Sequence, residues 1–174
     1  MKLINPSFKI LNQPAGLEGI YNQIERVGRV CYKSEDKITD DSAKPFVDRM
    51  IKSGHGAMLE HGTVYLKLTG VFLNPTDYVI KYGNYVVDHY ADNKYSKVVI
   101  KHDKEWKSNV YITTNYRVLV ENGWFDDLKY ICEPTECHEK RLTVHFICDR
   151  GVSHEFVRHR VFSFAQESTR QWRH

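Results

Sequence analysis

From Asn12 onward, Leu17, Ile20, Tyr21, Ile24, Val27 and Cys31 recur at spacings of three and four. That interval puts apolar side chains on one face of a helix, and the face must be buried against something. The stretch "DDSAKPFVDRMIKSGHG" predicts a second amphipathic helix: Asp40, Asp41 or Ser42 as N-cap, a proline near the first turn, apolar Phe46, Val47, Met50 and Ile51, and a stop at Gly54. "TVYLKLTG" then alternates Val64, Leu66 and Leu68 with Tyr65 and Lys67, the period of a half-buried strand. Two helices and a strand that must share one core make this an α+β chain, with flanking helices on an antiparallel or mixed sheet.

The middle is less legible. "NPTDYVIKYGN" reads as a short helix opened by Asn74 and Pro75, "KVVIKH" and "NVYITT" as a pair of strands, and "NYRVLVENG" and "WFDDLKYI" as short helices separated at Gly123. "RLTVHFICD" predicts a strand with Leu142, Val144, Phe146 and Cys148 on one side, broken at Gly151, with Ser153 as N-cap of a following helix. A length of 174 residues with no repeat or low-complexity tract fits one domain over 1–174.

No apolar run approaches the roughly 20 residues of a membrane span, and the N-terminus "MKLINPSFKI" lacks the pattern of a secretory signal. The expected compartment is the cytoplasm. Four scattered cysteines fit reduced thiols there. "CEPTECH", Cys132 to His138, has four residues between its thiols and no clear second ligand pair, so it reads as a turn at Pro134 and no metal is expected. A net charge of +3 does not imply nucleic-acid affinity by bulk charge, and no nucleic-acid partner is expected.

Anion chemistry is instead local. "RHRVFSFAQESTRQ", residues 158–171, gathers Arg158, His159, Arg160 and Arg170 around Ser163, Gln166, Ser168 and Thr169. Guanidinium forks suit phosphate or pyrophosphate, and hydroxyls and an amide suit a sugar or base edge. Phe162 and Phe164 interleave the polar groups as buried anchors would. If "SHEFVRHR" is helical, Glu155 and His159 share a face, as do His154 and Arg158. The bland alternative is a solvated basic tail. A further one is a non-enzymatic nucleotide- or RNA-binding domain that uses the Arg158–Arg170 cluster with Phe162, Phe164 and Trp172 as stacking surfaces.

The segment resembles the signature of the flavin-dependent thymidylate synthases: Arg158-His159-Arg160, seven residues from Val161 to Glu167, then Ser168 and Arg170. "GHGAMLEHGTVYLKL" resembles a second segment of that family, with His55 followed by Glu60 and His61 at the opening of a strand. The resemblance implies the family's α+β fold, a homotetramer with active sites shared between subunits, and reductive methylation of dUMP to dTMP with methylenetetrahydrofolate and NADPH through FAD. By position, Arg158, His159 and Arg160 would hold FAD, with Arg158 also near the nucleotide. Ser168 and Arg170 would contact dUMP, His61 and Thr63 would line the flavin, and Gln166 would lie near both ligands where the family usually has a glutamate. Glu155 falls where the family has a glutamine on the nucleotide. No cysteine lies near the motif, and Ser168 has no general base beside it in sequence, so it reads as a binding hydroxyl and no residue is assigned a covalent role. Relative to the compact family members, about 70–140 is expected to be a large insertion, and the family's C-terminal helical region to lie beyond His174.

Overall fold

The computed structural model describes residues 5–72, 84–102, 107–159 and 161–167. Ser7–Leu11 forms β1, a strand that the apolar spacing does not reveal. α1 (Gly16–Tyr32) follows, with Ile20, Ile24 and Val27 buried as the spacing predicts. α2 (Ala43–Lys52) buries Phe46, Val47 and Met50. The two helices approach closely at Gly28, where a Cβ would lie 2.5 Å from Phe46 Cζ. Ser42 stands at the N-cap position of α2, yet its hydroxyl does not cap that helix. It donates to Glu25 Oε2 at 2.9 Å and accepts the Thr39 amide at 2.8 Å. Glu25, buried on α1, also takes two bonds from Arg29 at 2.9 and 3.0 Å, so its charge is paired where desolvation would otherwise be costly.

Gly54, with φ of +71°, ends α2 as expected. One turn, α3 (Gly56–Leu59), leads into β2 (Thr63–Phe72). α4 (Tyr85–Ala91), unforeseen from the apolar spacing, is opened by Asn84, whose Oδ1 accepts the amides of Val86 and Val87. β3 (Lys97–His102) and β4 (Lys107–Asn115) are the expected strand pair. α5 (Tyr116–Asn122) is capped by Asn115 and ended by Gly123, and Phe125–Tyr130 winds as a 3-10 turn. β5 (Thr143–Ile147) and α6 (Arg150–Phe156) close the described chain. Most of the short helix expected at "NPTDYVIKYGN" lies outside the described residues.

The fold is α+β with small antiparallel sheets. β4 is the centre of the larger one, in the order β2-β4-β3. Leu66 faces Ile112 and Leu68 faces Val110 across β2 and β4, so one face carries the buried residues Val64, Leu66, Leu68, Val110 and Ile112. They join Ile20, Ile24, Phe46, Val47, Met50 and Leu59 of the helices in one core. Full burial of such side chains stabilises by about 1.5–3 kcal/mol each. The segment 70–140, expected as an insertion, therefore supplies the central strand and part of the core. The outer edge of β2 is covered: the Cys132 amide donates to the Tyr65 carbonyl at 3.0 Å and His138 Nε2 donates to the Leu66 carbonyl at 3.1 Å.

The second sheet has two strands, β1 and β5, with Phe8 opposite Phe146 and Ile10 opposite Val144. Phe8, Ile10 and Phe146 are exposed, and Phe146 stacks on Phe156 of α6 at 5.3 Å. Three sequence expectations need correction here. Gly151 does not break the strand, which ends at Ile147; it lies inside α6. Asp149, not Ser153, is the N-cap, because its Oδ1 reaches the Val152 amide at 3.0 Å. α6 ends at Phe156, so Glu155 and His159 do not share a continuous helical face. No helix among the described residues is long and apolar enough to cross a membrane.

Candidate functional site

The two motif segments meet in space. After α6 the chain turns at Arg158 and His159, both exposed, and Val161–Glu167 returns across the C-terminal end of α1 and past α3. Ser163 donates to Glu60 Oε2 at 2.5 Å across 103 positions of sequence. The His61 ring lies against the Phe164 backbone, which favours a proton on the ring. The Gln166 backbone lies beside the Cys31 thiol, Lys33 at the end of α1 pairs with Glu167, and Ala165 packs on the core. The Gln166 side chain turns the other way, its amide donating to Ser153 Oγ of α6 at 2.9 Å.

Glu60 is held from two sides. Its Oε1 accepts Arg117 Nη1 at 2.6 Å, and Arg117 Nε bonds to Glu121 at 2.6 Å, one turn further along α5. These two carboxylates raise the Arg117 pKa further, Glu121 more than Glu60. Gly56 makes room for this arginine, since a Cβ there would come within 2.8 Å of Arg117 Nε.

His61 carries the chemistry best suited to a ligand. Burial pushes its pKa down, against the Glu60 charge and the Phe164 hydrogen bond, which favour protonation. The imidazole is therefore neutral at pH 7. Its Nε2 is buried and has no hydrogen-bond partner among the described residues, so it offers a lone pair to an N–H or O–H donor. Nearby His55 is exposed, and its Nδ1 bonds to the Tyr32 hydroxyl at 2.5 Å.

Thr63 is fixed through its backbone: Gln13 Oε1 accepts its amide at 2.9 Å and Gln13 Nε2 donates to its carbonyl at 2.8 Å. It lines a cavity of about 70 Å³ with Gln13, Gly16, Ile20, Tyr65 and Cys132. That space suits about two waters, and ring ligands take several hundred Å³.

The cationic side is more open. Arg158 pairs with Glu155 at 3.0 Å, with side chains 73% and 67% exposed, an arrangement worth about 0–1 kcal/mol that leaves the guanidinium available. Phe162 is 63% exposed, so the expectation of two buried phenylalanine anchors holds only for half-buried Phe164. Arg160, Ser168 and Arg170 lie outside the described residues. His138 is engaged at both ring nitrogens, by the Thr135 amide and the Leu66 carbonyl, and no group of three or more metal-ligating side chains occurs among the described residues.

Sequence reasoning named Glu60 and His61 but passed over Arg117, Lys33 and Gln13. Arg117 and Glu121 carried a faint signal in their spacing of four; the others have partners 50 or more residues away. Compared with protein-family models, curated proteins and solved structures, the chain matches none.

Proposed function

We propose that the chain acts in the cytoplasm as a flavin-dependent thymidylate synthase of that family's α+β fold. In this reading it assembles as a homotetramer and methylates dUMP to dTMP with methylenetetrahydrofolate and NADPH. The observation that carries the reading is the meeting of the two motif segments, Glu60-His61 and Ser163-Phe164, through contacts that span about 100 residues. Motifs that match by coincidence have no reason to converge.

The residues present suit FAD in two respects. His61 Nε2 is a buried acceptor without a partner among the described residues, fit for a flavin N–H or ribityl hydroxyl. Arg158 is an exposed fork fit for pyrophosphate. When bound, FAD supplies the hydride chemistry. The chain's own part is to bind and orient. Arg158, His159 and Arg160 would hold the cofactor's phosphates, and His61 and Thr63, at the entrance to β2, would line the flavin on the side away from the small cavity. Ser168 and Arg170 hold the nucleotide, with Glu155 and Gln166 at their margin.

The visible absorption spectrum of the purified protein, followed by FAD titration, tests the reading. Flavin absorbance and saturable FAD binding support it. The exposed ring of Phe162, four residues after the exposed Arg158, favours one other reading, a nucleotide- or RNA-binding surface. A colourless protein whose oligonucleotide affinity falls steeply with salt would establish that alternative.

A further inference from the structure

We propose that Glu60 is a positioning residue: anchored by Arg117, its carboxylate holds the Ser163 hydroxyl and so sets the register of Val161–Glu167, whose Phe164 backbone orients His61. The inference rests on the functional reading above for its consequence in FAD binding, but the geometry stands without it.

Three observations carry it. Both Glu60 oxygens are used, one by Arg117 at 2.6 Å and the other by Ser163 at 2.5 Å. The anchor is itself restrained, because Arg117 lies against Gly56 and reaches on to Glu121 at 2.6 Å. Glu60 therefore cannot follow Ser163 if the loop slides. Finally, the remaining ties of this loop among the described residues lie further along: the Gln166 amide on Ser153 and Glu167 on Lys33. Among the described residues, the Ser163–Glu60 bond is the tie nearest the Arg158–Arg160 triplet.

His61 needs such a tie. The imidazole lies against the Phe164 backbone, which favours a proton on the nitrogen facing it and leaves the buried Nε2 as an acceptor; if the loop shifts, that bias is lost and Nε2 loses its assigned role. A shift of the loop by a fraction of an ångström would propagate to both the cations and the imidazole.

The test uses the whole chain with Glu60→Gln, Ser163→Ala, their double variant and Ser163→Thr. ¹⁵N-histidine NMR reads the His61 tautomer, and titration reads FAD affinity. Each single variant is expected to mix the His61 tautomers and to weaken FAD about tenfold, the loss of one charged hydrogen bond. The double variant is expected to be no worse than either single one, because both remove the same tie. Ser163→Thr, which keeps a hydroxyl, is expected to recover most of both signals. An unchanged His61 spectrum in both single variants overturns the proposal, as do effects that add or that threonine does not rescue. If Glu60→Gln fails to fold, Ser163→Ala at its exposed site decides alone. A wild-type chain without FAD affinity would sink the functional reading, and the His61 spectra would still judge this one.

Discussion

His138 donates its Nε2 hydrogen to the Leu66 carbonyl at 3.1 Å, and its Nδ1 accepts the Thr135 amide at 3.0 Å. Only the neutral Nε2–H tautomer satisfies both bonds. Burial pushes the His138 pKa below its usual value, opposed by the Leu66 bond and helped by the Lys67 charge. Burial lowers His61 likewise.

A histidine whose pKa is depressed on folding takes up a proton more readily when unfolded. Its stabilisation is complete above the unfolded pKa of about 6.5 and is lost as pH falls from there through the folded value. Thermal melts are therefore expected to weaken below pH 6.5. His138→Ala should cost about 1–3 kcal/mol at pH 7, since it strands a buried carbonyl on the edge of β2. The gap to wild type should narrow at pH 5, where wild type alone bears the strain of protonating this ring. A gap that stays constant across that range would contradict the assigned tautomer.

Gly62 separates His61 from Thr63, and its place is set by packing. A Cβ there would lie 2.7 Å from Ile24 Cδ1 and 2.8 Å from Ile20 Cγ2, both in the core. Gly62→Ala is expected to destabilise by about 1–3 kcal/mol through overpacking. Pairing it with Ile24→Val, which removes the nearest methyl group, should recover part of the loss in denaturant midpoint. If the two losses add, the site yields in some other way.

What was legible follows from burial. α1, α2 and β2 each bury one face against the same core, and a one-sided burial writes its period into the sequence. β1 escaped because Phe8 and Ile10 alternate on a face that remains exposed, and five residues carry little pattern by themselves. α4 escaped because its seven residues cover only two turns; its signal was the Asn84 cap, not a stripe. The same division runs through the site. Glu60, His61 and the Arg158–Arg160 triplet stand in contiguous motifs, whereas Gln13 reaches Thr63 across 50 positions and Lys33 reaches Glu167 from the far end of α1. Contacts of that kind depend on the completed fold and leave no local spacing to read.

Arg158 separates function from stability. Its ion pair with Glu155 is largely exposed, so Arg158→Ala should change the melting temperature little. Under the proposed function it removes a charge-assisted contact to FAD worth about 1.5–3 kcal/mol, roughly a 10- to 150-fold loss of affinity. Arg160→Ala is expected to act alike by its place in the motif. Flavin titration beside a thermal melt measures both quantities in one preparation. Unchanged FAD affinity in both variants would detach this motif from the cofactor.

Ser168 distinguishes two chemistries. Under the proposed function it is a hydroxyl on dUMP, and a neutral hydrogen bond contributes only about 0.5–1.5 kcal/mol. Loss of a true nucleophile would instead cost many orders of magnitude in turnover. Ser168→Ala is therefore expected to weaken dUMP binding by about 2- to 13-fold, leave flavin binding largely intact and retain measurable dUMP-dependent NADPH oxidation. The alternative requires a base to take the serine proton. His61, the half-buried neutral imidazole near the loop, lies against the Phe164 backbone, and in the proposed site its Nε2 accepts from the cofactor. Isothermal titration with dUMP and a steady-state assay on the same variant decide between them: normal dUMP affinity with no detectable turnover would make this serine the nucleophile and would require His61 to face it instead of the flavin.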